Sequence, residues 1–466
     1  MKPFAYKDEL QVKASLDPDF FPAIIGIRKY LLEVLKTNDF ETVFIALERS
    51  GIDKSFYQTV VFSDKQNKHE DNCFYLERLI KSLLWVKGGY KISYSGPRKL
   101  GEFVKETFSD NGSRKFDTNF MSRIYEKPFE VQFVDRADIE VTKETSKPIG
   151  RNLSGYRIGF DAGGSDRKVS AVVDGVSIFS EEVIWHPKQM ADPSYHYQEI
   201  LKAMKTAAEK MPRVDAIGVS SAGTFVNNRA MAASLFIKVP DDLFDKQVKD
   251  IYLNIAKELG DVPIEVANDG DVTALAGSMS LNKNKVLGIA MGTAQAAGYI
   301  DDLGNITGWL NELSFVPVDF NQESIVDEWS MDYGVGCKYF SQDSVIKLAK
   351  NAGIEIDENL TLAEKLVYIQ ELVRKGDNKA LEIFQNIGVY LGYSLGFYDL
   401  FYDMENILIL GRVTSGMGGI EIVKYAKKVL KKVFPDLAKK VKLILPDEKS
   451  RRVGQSIAAA SLPKIN

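Results

Sequence analysis

The 466-residue chain has only two cysteines, Cys73 and Cys337, and three histidines. So few cysteines exclude a disulfide framework and point to a reducing compartment. His186 and His196 share the segment "WHPKQMADPSYHYQEI" with no third ligand nearby and no nucleophile elbow, so packing explains them better than metal binding or catalysis. An excess of charge of one sign is also missing. Lys and Arg number 60 against 64 Asp and Glu, a net charge of −4, which disfavours nucleic acid and anionic membrane as main partners. No apolar run approaches the roughly 18 residues that span a bilayer, and the start "MKPFAYKDELQVK" lacks the apolar core of a signal peptide. The expectation is a cytoplasmic protein.

What is present is ordinary globular material, 45% hydrophobic and 27% charged, in a chain long enough for two or three domains. The least structured stretch is "RADIEVTKETSKPIGRNLSG", residues 136–155, polar and broken by Pro148, Gly150 and Gly155. It is read as a linker. Residues 1–135 before it alternate strands ("ETVFIALERSG", "YQTVVFSD", "YKISYSG", "PFEVQFVD") with helices ("DNCFYLERLIKSLLWVKGG", "PRKLGEFVKETF"). This describes an α/β or α+β accessory module whose function is not legible. No helix-turn-helix pattern is found in it.

The remainder contains a repeat. Tyr156 to Asp161 reads as a strand, Gly163 and Gly164 turn, and Lys168 to Val173 returns with Val169, Ala171 and Val173 on one face. Asp174-Gly175 turns again into "VSIFS". Later, Val286 to Met291 reads as a strand, Gly292-Thr293 turns, Gln295 to Ile300 returns, and "DDLGN" leads to a third strand from Ile306. Each meander is followed by helical material and by an apolar strand ending in small residues, "VDAIGVSSAG" and "ENILILGRVTSG". Helical periodicity covers residues 195–210, 241–259, 362–374, 378–401 and 419–433. Two copies of one unit predict two related lobes, residues 156–280 and 281–466, flanking a cleft.

Glycines at the two tips let backbone N–H groups approach phosphate oxygens, each charge-assisted bond contributing about 1.5–3 kcal/mol. Gly-Gly and Asp-Gly are also common hairpin turns in their own right. It is the pairing of tips that points to a polyphosphate clamp.

With those residues in view, "IGFDAGGSDRKVSAVVDG" resembles the first phosphate motif of the actin-like ATPase and sugar kinase superfamily. "LGIAMGTAQAAGYI" is similar to its second phosphate motif, and "ILILGRVTSGMGGIEIV" to its adenosine-side loop and helix. Within that superfamily, "VPIEVANDGDVTALAG" and "WLNELSFVPVDF" resemble sugar-site segments of the ROK (repressor, open reading frame, kinase) family. The resemblance runs from about Tyr156 to the C-terminus with all segments in order. It implies an α/β, two-lobed actin-like ATPase (ribonuclease H-like) fold with a mixed sheet and helices in each lobe, ATP and Mg²⁺, a sugar substrate, and a homodimer.

Carried over residue by residue, the resemblance implies Asp269 as general base, Asn268 and Glu312 as sugar-binding groups, and Asp161 as the aspartate of the Mg²⁺ shell. The phosphate-binding positions are Gly163, Gly164, Ser165, Lys168, Gly292 and Thr293. The adenosine side takes Gly411, Arg412, Gly416 and Gly418. Asn-Asp-Gly is also a turn and helix-cap signal, and Asp161 also fits a plain Asx-turn.

Several positions depart from the family pattern. Phe315 stands where the family's zinc-binding histidine would be, and Ser330, Asp332 and Cys337 stand where its cysteines would be, so no zinc is expected. Ser234-Leu235 replaces the usual Asn-Leu of the sugar pocket. Ser165 replaces a threonine, and Ala294, Ala296 and Ala297 crowd the second tip, with Lys168 and Arg412 as candidate compensating cations. The expectation is an ATP-dependent sugar kinase, against a non-catalytic sugar or metabolite sensor and, third, an ATPase without an acceptor. Gly388, Gly392 and Gly396 recur every fourth residue between polar flanks, which predicts close helix packing in a soluble core. The basic run "KYAKKVLKKVFPDLAKKVK" predicts a solvated helix face.

Overall fold

The computed structural model of the chain describes residues 10–139, 144, 148–446 and 448–465. Residues 140–143 and 145–147 of the linker predicted over 136–155, and residues 1–9 of the start quoted above, lie outside the described residues.

Phe40–Glu48 (β1), Lys54–Phe62 (β2), Lys91–Ser95 (β3) and Glu130–Phe133 (β4) form a sheet in the order β2-β1-β3-β4. Next along the chain come Tyr156–Ala162 (β5), Asp166–Val173 (β6), Val176–Ile184 (β7) and Ala216–Ser221 (β8). A two-stranded ribbon, Thr224–Val226 (β9) with Arg229–Ala232 (β10), precedes Ile264–Asn268 (β11). The larger strands of this set make a five-stranded sheet, β11-β8-β5-β6-β7. Val286–Met291 (β12), Gln295–Ile300 (β13), Asn406–Leu410 (β14) and Lys442–Ile444 (β15) make a third sheet, β13-β12-β14-β15.

The chain divides into two compact units. One holds the described residues of Met1–Thr145 with Ile289–Ala296 and Trp309–Leu445, so the N-terminal sheet packs as part of a larger body. The other holds those of Ser146–Gly288, Ala297–Gly308 and Pro446–Asn466.

In the second of these units, β5 pairs antiparallel with β6 and parallel with β8, and β8 parallel with β11. The carboxyl ends of the parallel strands thus open at one edge, where side chains can emerge toward a ligand. Asp174 and Gly175 both take positive φ, 46° and 82°, as a two-residue hairpin turn requires. The expected alternation on β6 fails in one place. Val172 is buried as well, although it is not part of the core cluster that holds Val169 and Ala171, and the register irregularity beside it places the extra residue, Ile178, on β7. The C-terminal helix Glu448–Ala460 lies against β5 and β8.

In the first unit, the glycine-spaced helix Asn378–Tyr398 packs on Met417–Val433 as predicted. A Cβ on Gly388 or Gly392 would come within 2.5 Å of Ile422 O or Val429 Cβ. In the second unit, the third strand expected from Ile306 does not form. Ile306 makes a single isolated bridge to Ile300, and the chain then leaves the sheet. Likewise, residues 241–259 are not one helix. A π turn at Phe244–Val248 separates Asp241–Leu243 from Ile251–Glu258, keeping Phe244, Val248, Ile251 and Ile255 in the core.

Candidate active site

In the unit containing β5, Asp161 sits at the carboxyl end of that strand, in register with Ser220 of β8. Ser220 Oγ donates to Asp161 Oδ1 at 2.7 Å, and Gln455 Nε2 of the C-terminal helix approaches the same oxygen at 3.4 Å. Burial pushes the Asp161 carboxyl up to about 6. Ser220 and Lys168 oppose the rise, while the charges of Asp269 and Asp166 add to it.

The β5–β6 tip follows directly. Trp185 fixes it from outside, donating from Nε1 to Gly163 O at 2.8 Å and from its main-chain N–H to Ser165 O at 3.2 Å. Gly164 and Ser165 are exposed, and Ser165 Oγ donates to Asp166. Lys168 faces Asp161 across the hairpin, but its ammonium is shared with Asp166 at 3.3 Å and Glu182 at 4.0 Å. The cation that lies against the tip is Lys188. Its Nζ is 3.3 Å from where a Cβ on Gly164 would project.

Asn268 ends β11 and caps the helix Asp269–Leu281. Its Oδ1 accepts from Gly270 N at 2.7 Å, and its Nδ2 donates to Gly223 O at 2.7 Å. The cap predicted as the alternative role for this motif is real, and it falls on Asn268. Asp269 is the first helical residue, half-buried, and its pKa is raised by burial against the opposing Gly270 N–H and Lys188 charge. Two glycines allow the helix start to press on β13. A Cβ on Gly270 would stand 2.3 Å from Ala297 O, and one on Gly298 2.3 Å from Gly270 O. Ser234 is exposed, next to Ala233, which abuts Gly223.

The unit containing β14 carries the other predicted positions. At the β12–β13 tip, Gly292 N donates to Ala294 O at 3.0 Å and Gly292 O accepts from Gln342 N at 2.9 Å. Thr293 and Ala294 are exposed, whereas Ala297 is buried in β13 and does not belong to the tip. Gly411, at φ +96°, brings its loop against Met291. A side chain there would lie 2.3 Å from Met291 O, so glycine is required. Gly416 caps the helix Met417–Val433. A 260 Å³ cavity opens there, lined by Gln370, Arg374, Phe384, Gly416 and Gly418. Gln370 Nε2 donates to Arg412 O at 2.7 Å, and the Arg412 side chain is exposed.

Glu312 lies in the same unit, half-buried, just before a turn at Leu313–Phe315. Ser314 Oγ donates to Gln295 O at 2.6 Å, tying this turn to the start of β13.

The residues at the zinc-ligand positions have other partners. Phe315 stacks on Trp85 with ring centroids 4.3 Å apart. Ser330 Oγ donates to Asp327, as does the Cys337 thiol, whose pKa burial pushes far up. Asp332 sits among Arg78 at 2.9 Å, Arg114 at 2.8 Å and Lys81 at 3.2 Å. Burial alone would raise its pKa, but these three cations hold it well below the usual carboxylate range. Among the described residues, no group of three or more His, Cys, Asp and Glu side chains is arranged to hold a metal ion. A single carboxylate at a strand end, as Asp161 is, still suits Mg²⁺, which keeps most of its waters and takes one or two protein carboxylates plus phosphate.

The structure therefore gathers Asp161, the Gly163–Ser165 tip, Lys168, Asn268 and Asp269 in one unit. It gathers the Gly292–Thr293 tip, Glu312 and the Gly411–Gly418 loop in the other. Lys188, Ser220 and Gln455 are additions that local pattern does not announce. Among the described residues, no helix is long and apolar enough to cross a membrane.

Among solved structures, the chain is similar to the ROK hexokinase of Thermus thermophilus, with TM-score 0.50 and 15% identity over 65% of this chain and 97% of that one. It is also similar to a ROK family glucokinase from Streptomyces griseus in complex with glucose and AMPPNP, with TM-score 0.50 and 18% identity over 66% and 99%. A ROK family transcriptional regulator, a homolog of the E. coli MLC protein, matches with TM-score 0.50 and 16% identity over 66% and 79%. No protein-family model and no curated protein matches the chain. The chain has the α/β fold that ROK family sugar kinases and regulators share.

Proposed function

We propose that the chain is a ROK family kinase that transfers the γ-phosphoryl group of ATP to a hydroxyl of a sugar or sugar-like alcohol. The observation that carries this reading is the placing of two carboxylates, Asp161 at the end of β5 and Asp269 just after β11, at the same edge of one sheet as a glycine tip with Lys188 against it. The proposal assigns them different tasks. Asp269, whose pKa burial raises, accepts the proton of the acceptor hydroxyl as that oxygen bonds to phosphorus and the bond to ADP breaks. Asn268 retains one amide proton beyond the one given to Gly223, and with Glu312 it orients the acceptor. Asp161 would hold the hydrated Mg²⁺ that accompanies ATP, and that ion supplies charge neutralisation on the phosphates. The tip amides and Lys188 bind phosphate oxygens, and the cavity beside Gly416 and Phe384 takes the adenine. Support comes also from the shared fold, since the Streptomyces griseus enzyme was crystallised with glucose and AMPPNP. A homodimer belongs to the same reading.

A coupled ADP assay with titration calorimetry over hexoses and amino sugars tests it. Turnover with at least one acceptor is expected. Absence of both turnover and nucleotide binding across the panel would defeat it. A sensor role is the second reading, favoured by the Gly292 N–H that is spent on Ala294 O and by the half-buried methyl of Ala296 beside it. Sugar binding with no nucleotide binding would establish that alternative.

A further inference from the structure

The last four carbonyls of a helix have no partner within it and must find one elsewhere. At the end of the N-terminal helix His69–Lys87, Leu84 O takes the ordinary capping N–H of Gly88. The next two carbonyls do something else. Trp85 O accepts from Glu312 N at 2.9 Å and Val86 O from Asn311 N at 3.0 Å. Asn311 takes positive φ, 53°, and its side-chain oxygen accepts from Tyr402 OH at 3.0 Å. Side chains reinforce the main-chain pair. The Trp85 ring is fully buried against Phe315 and also donates to Asp117, and the Lys87 ammonium lies over the Trp309 ring. Further back on the same helix, Arg78 and Lys81 grip Asp332. One helix thus holds residues 309–315 through three consecutive residues, 85 to 87, and holds position 332 through ion pairs.

We infer that this helix is a built-in positioning element for the acceptor-binding loop, with Trp85 acting through Glu312. The inference rests on the kinase reading above. It gives the N-terminal 135 residues a task in acceptor recognition. Trp85 is a positioning residue here, because Glu312 and not Trp85 contacts the acceptor.

Amide hydrogen exchange and steady-state kinetics on the full chain test this with Phe315→Ala, Trp85→Leu and Trp85→Phe. Faster exchange over residues 309–316 is expected in Phe315→Ala and Trp85→Leu, with exchange over 156–173 unchanged. The acceptor KM should rise about ten- to hundredfold, as expected from a displaced contact, while the ATP KM stays within about twofold. Trp85→Phe, which keeps a ring against Phe315, should restore most of both. If Trp85→Leu does not fold, the half-buried Phe315→Ala still reads out the same contact. Unchanged exchange over 309–316, or faster exchange with an unmoved acceptor KM, overturns the inference while leaving the kinase reading intact. Wild type that neither binds nor phosphorylates any acceptor overturns the kinase reading and the acceptor role together, even if the exchange result shows that the helix holds the loop.

Discussion

Ser220 donates a 2.7 Å hydrogen bond to Asp161, yet the Asp161 carboxyl still titrates near 6 because burial outweighs that bond. A folded pKa above the unfolded one means that the folded chain binds a proton between about pH 4 and 6 that the unfolded chain does not. Stability from this group is therefore present at low pH and lost as pH rises through 6. The shift from 3.8 to about 6 corresponds to ~3 kcal/mol at neutral pH. Asp161→Asn should raise the denaturation midpoint of the nucleotide-free protein at pH 7 and have little effect at pH 4. The same variant should lose Mg²⁺-dependent turnover. In wild type, the apparent Mg²⁺ affinity should climb as pH passes through 6. A flat Mg²⁺ dependence across that range would remove Asp161 from the metal shell.

Asp269→Asn keeps the shape of the side chain and removes the proposed proton acceptor. Turnover should fall about 10²–10⁴-fold with sugar affinity, measured by calorimetry, within about threefold of wild type. The helix itself should survive, because the capping oxygen belongs to Asn268. Turnover near the wild-type rate would assign the base elsewhere.

Much of this arrangement is readable along the chain, and the unread part has a common cause. The β5–β6 hairpin and the Leu362–Arg374 helix follow from local signals, a Gly-Gly turn in one case and the Thr361–Glu364 capping box in the other. Asn268 and Asp269 were legible as a pair because the strand, the cap and the helix start all fall within a few residues. Lys188 was not. It stands on a loop after β7 and meets Gly164 only because Trp185, three residues earlier, is hydrogen-bonded to the tip. Gln455 comes from nearly 300 residues away along the chain to reach Asp161. The same holds after "ITGWL", where periodicity cannot report that two helix carbonyls far upstream will bind the next amides.

Lys188 offers a separate prediction. It is exposed on a short turn, so Lys188→Met should leave the denaturation midpoint nearly unchanged. Loss of a cation beside the tip should raise the ATP KM or lower kcat by about tenfold or more, one charge-assisted bond's worth. Lys168→Met should do less, because its charge is already shared with Asp166 and Glu182. Equal effects of the two substitutions in steady-state kinetics would contradict this ranking.

Gly298 tests how the helix start is placed. Its φ is not one that demands glycine, so the cost of Gly298→Ala comes from space alone. The new methyl would lie 2.3 Å from Gly270 O and 2.4 Å from Asp271 Cα, and neither main-chain atom can swing aside as a flexible side chain would. Strand β13 and the helix beginning at Asp269 must then separate, weakening the hydrogen bond from Tyr299 N to Asp271 as well. Overpacking of this kind costs about 1–3 kcal/mol, which guanidinium denaturation would detect. Because the displaced residues adjoin Asp269, the proposed base, kcat should drop by about tenfold or more even at temperatures where the variant is fully folded. A variant that lost stability but kept kcat would mean that Asp269 tolerates movement of its helix, and with that the tight positioning argued for it would fail.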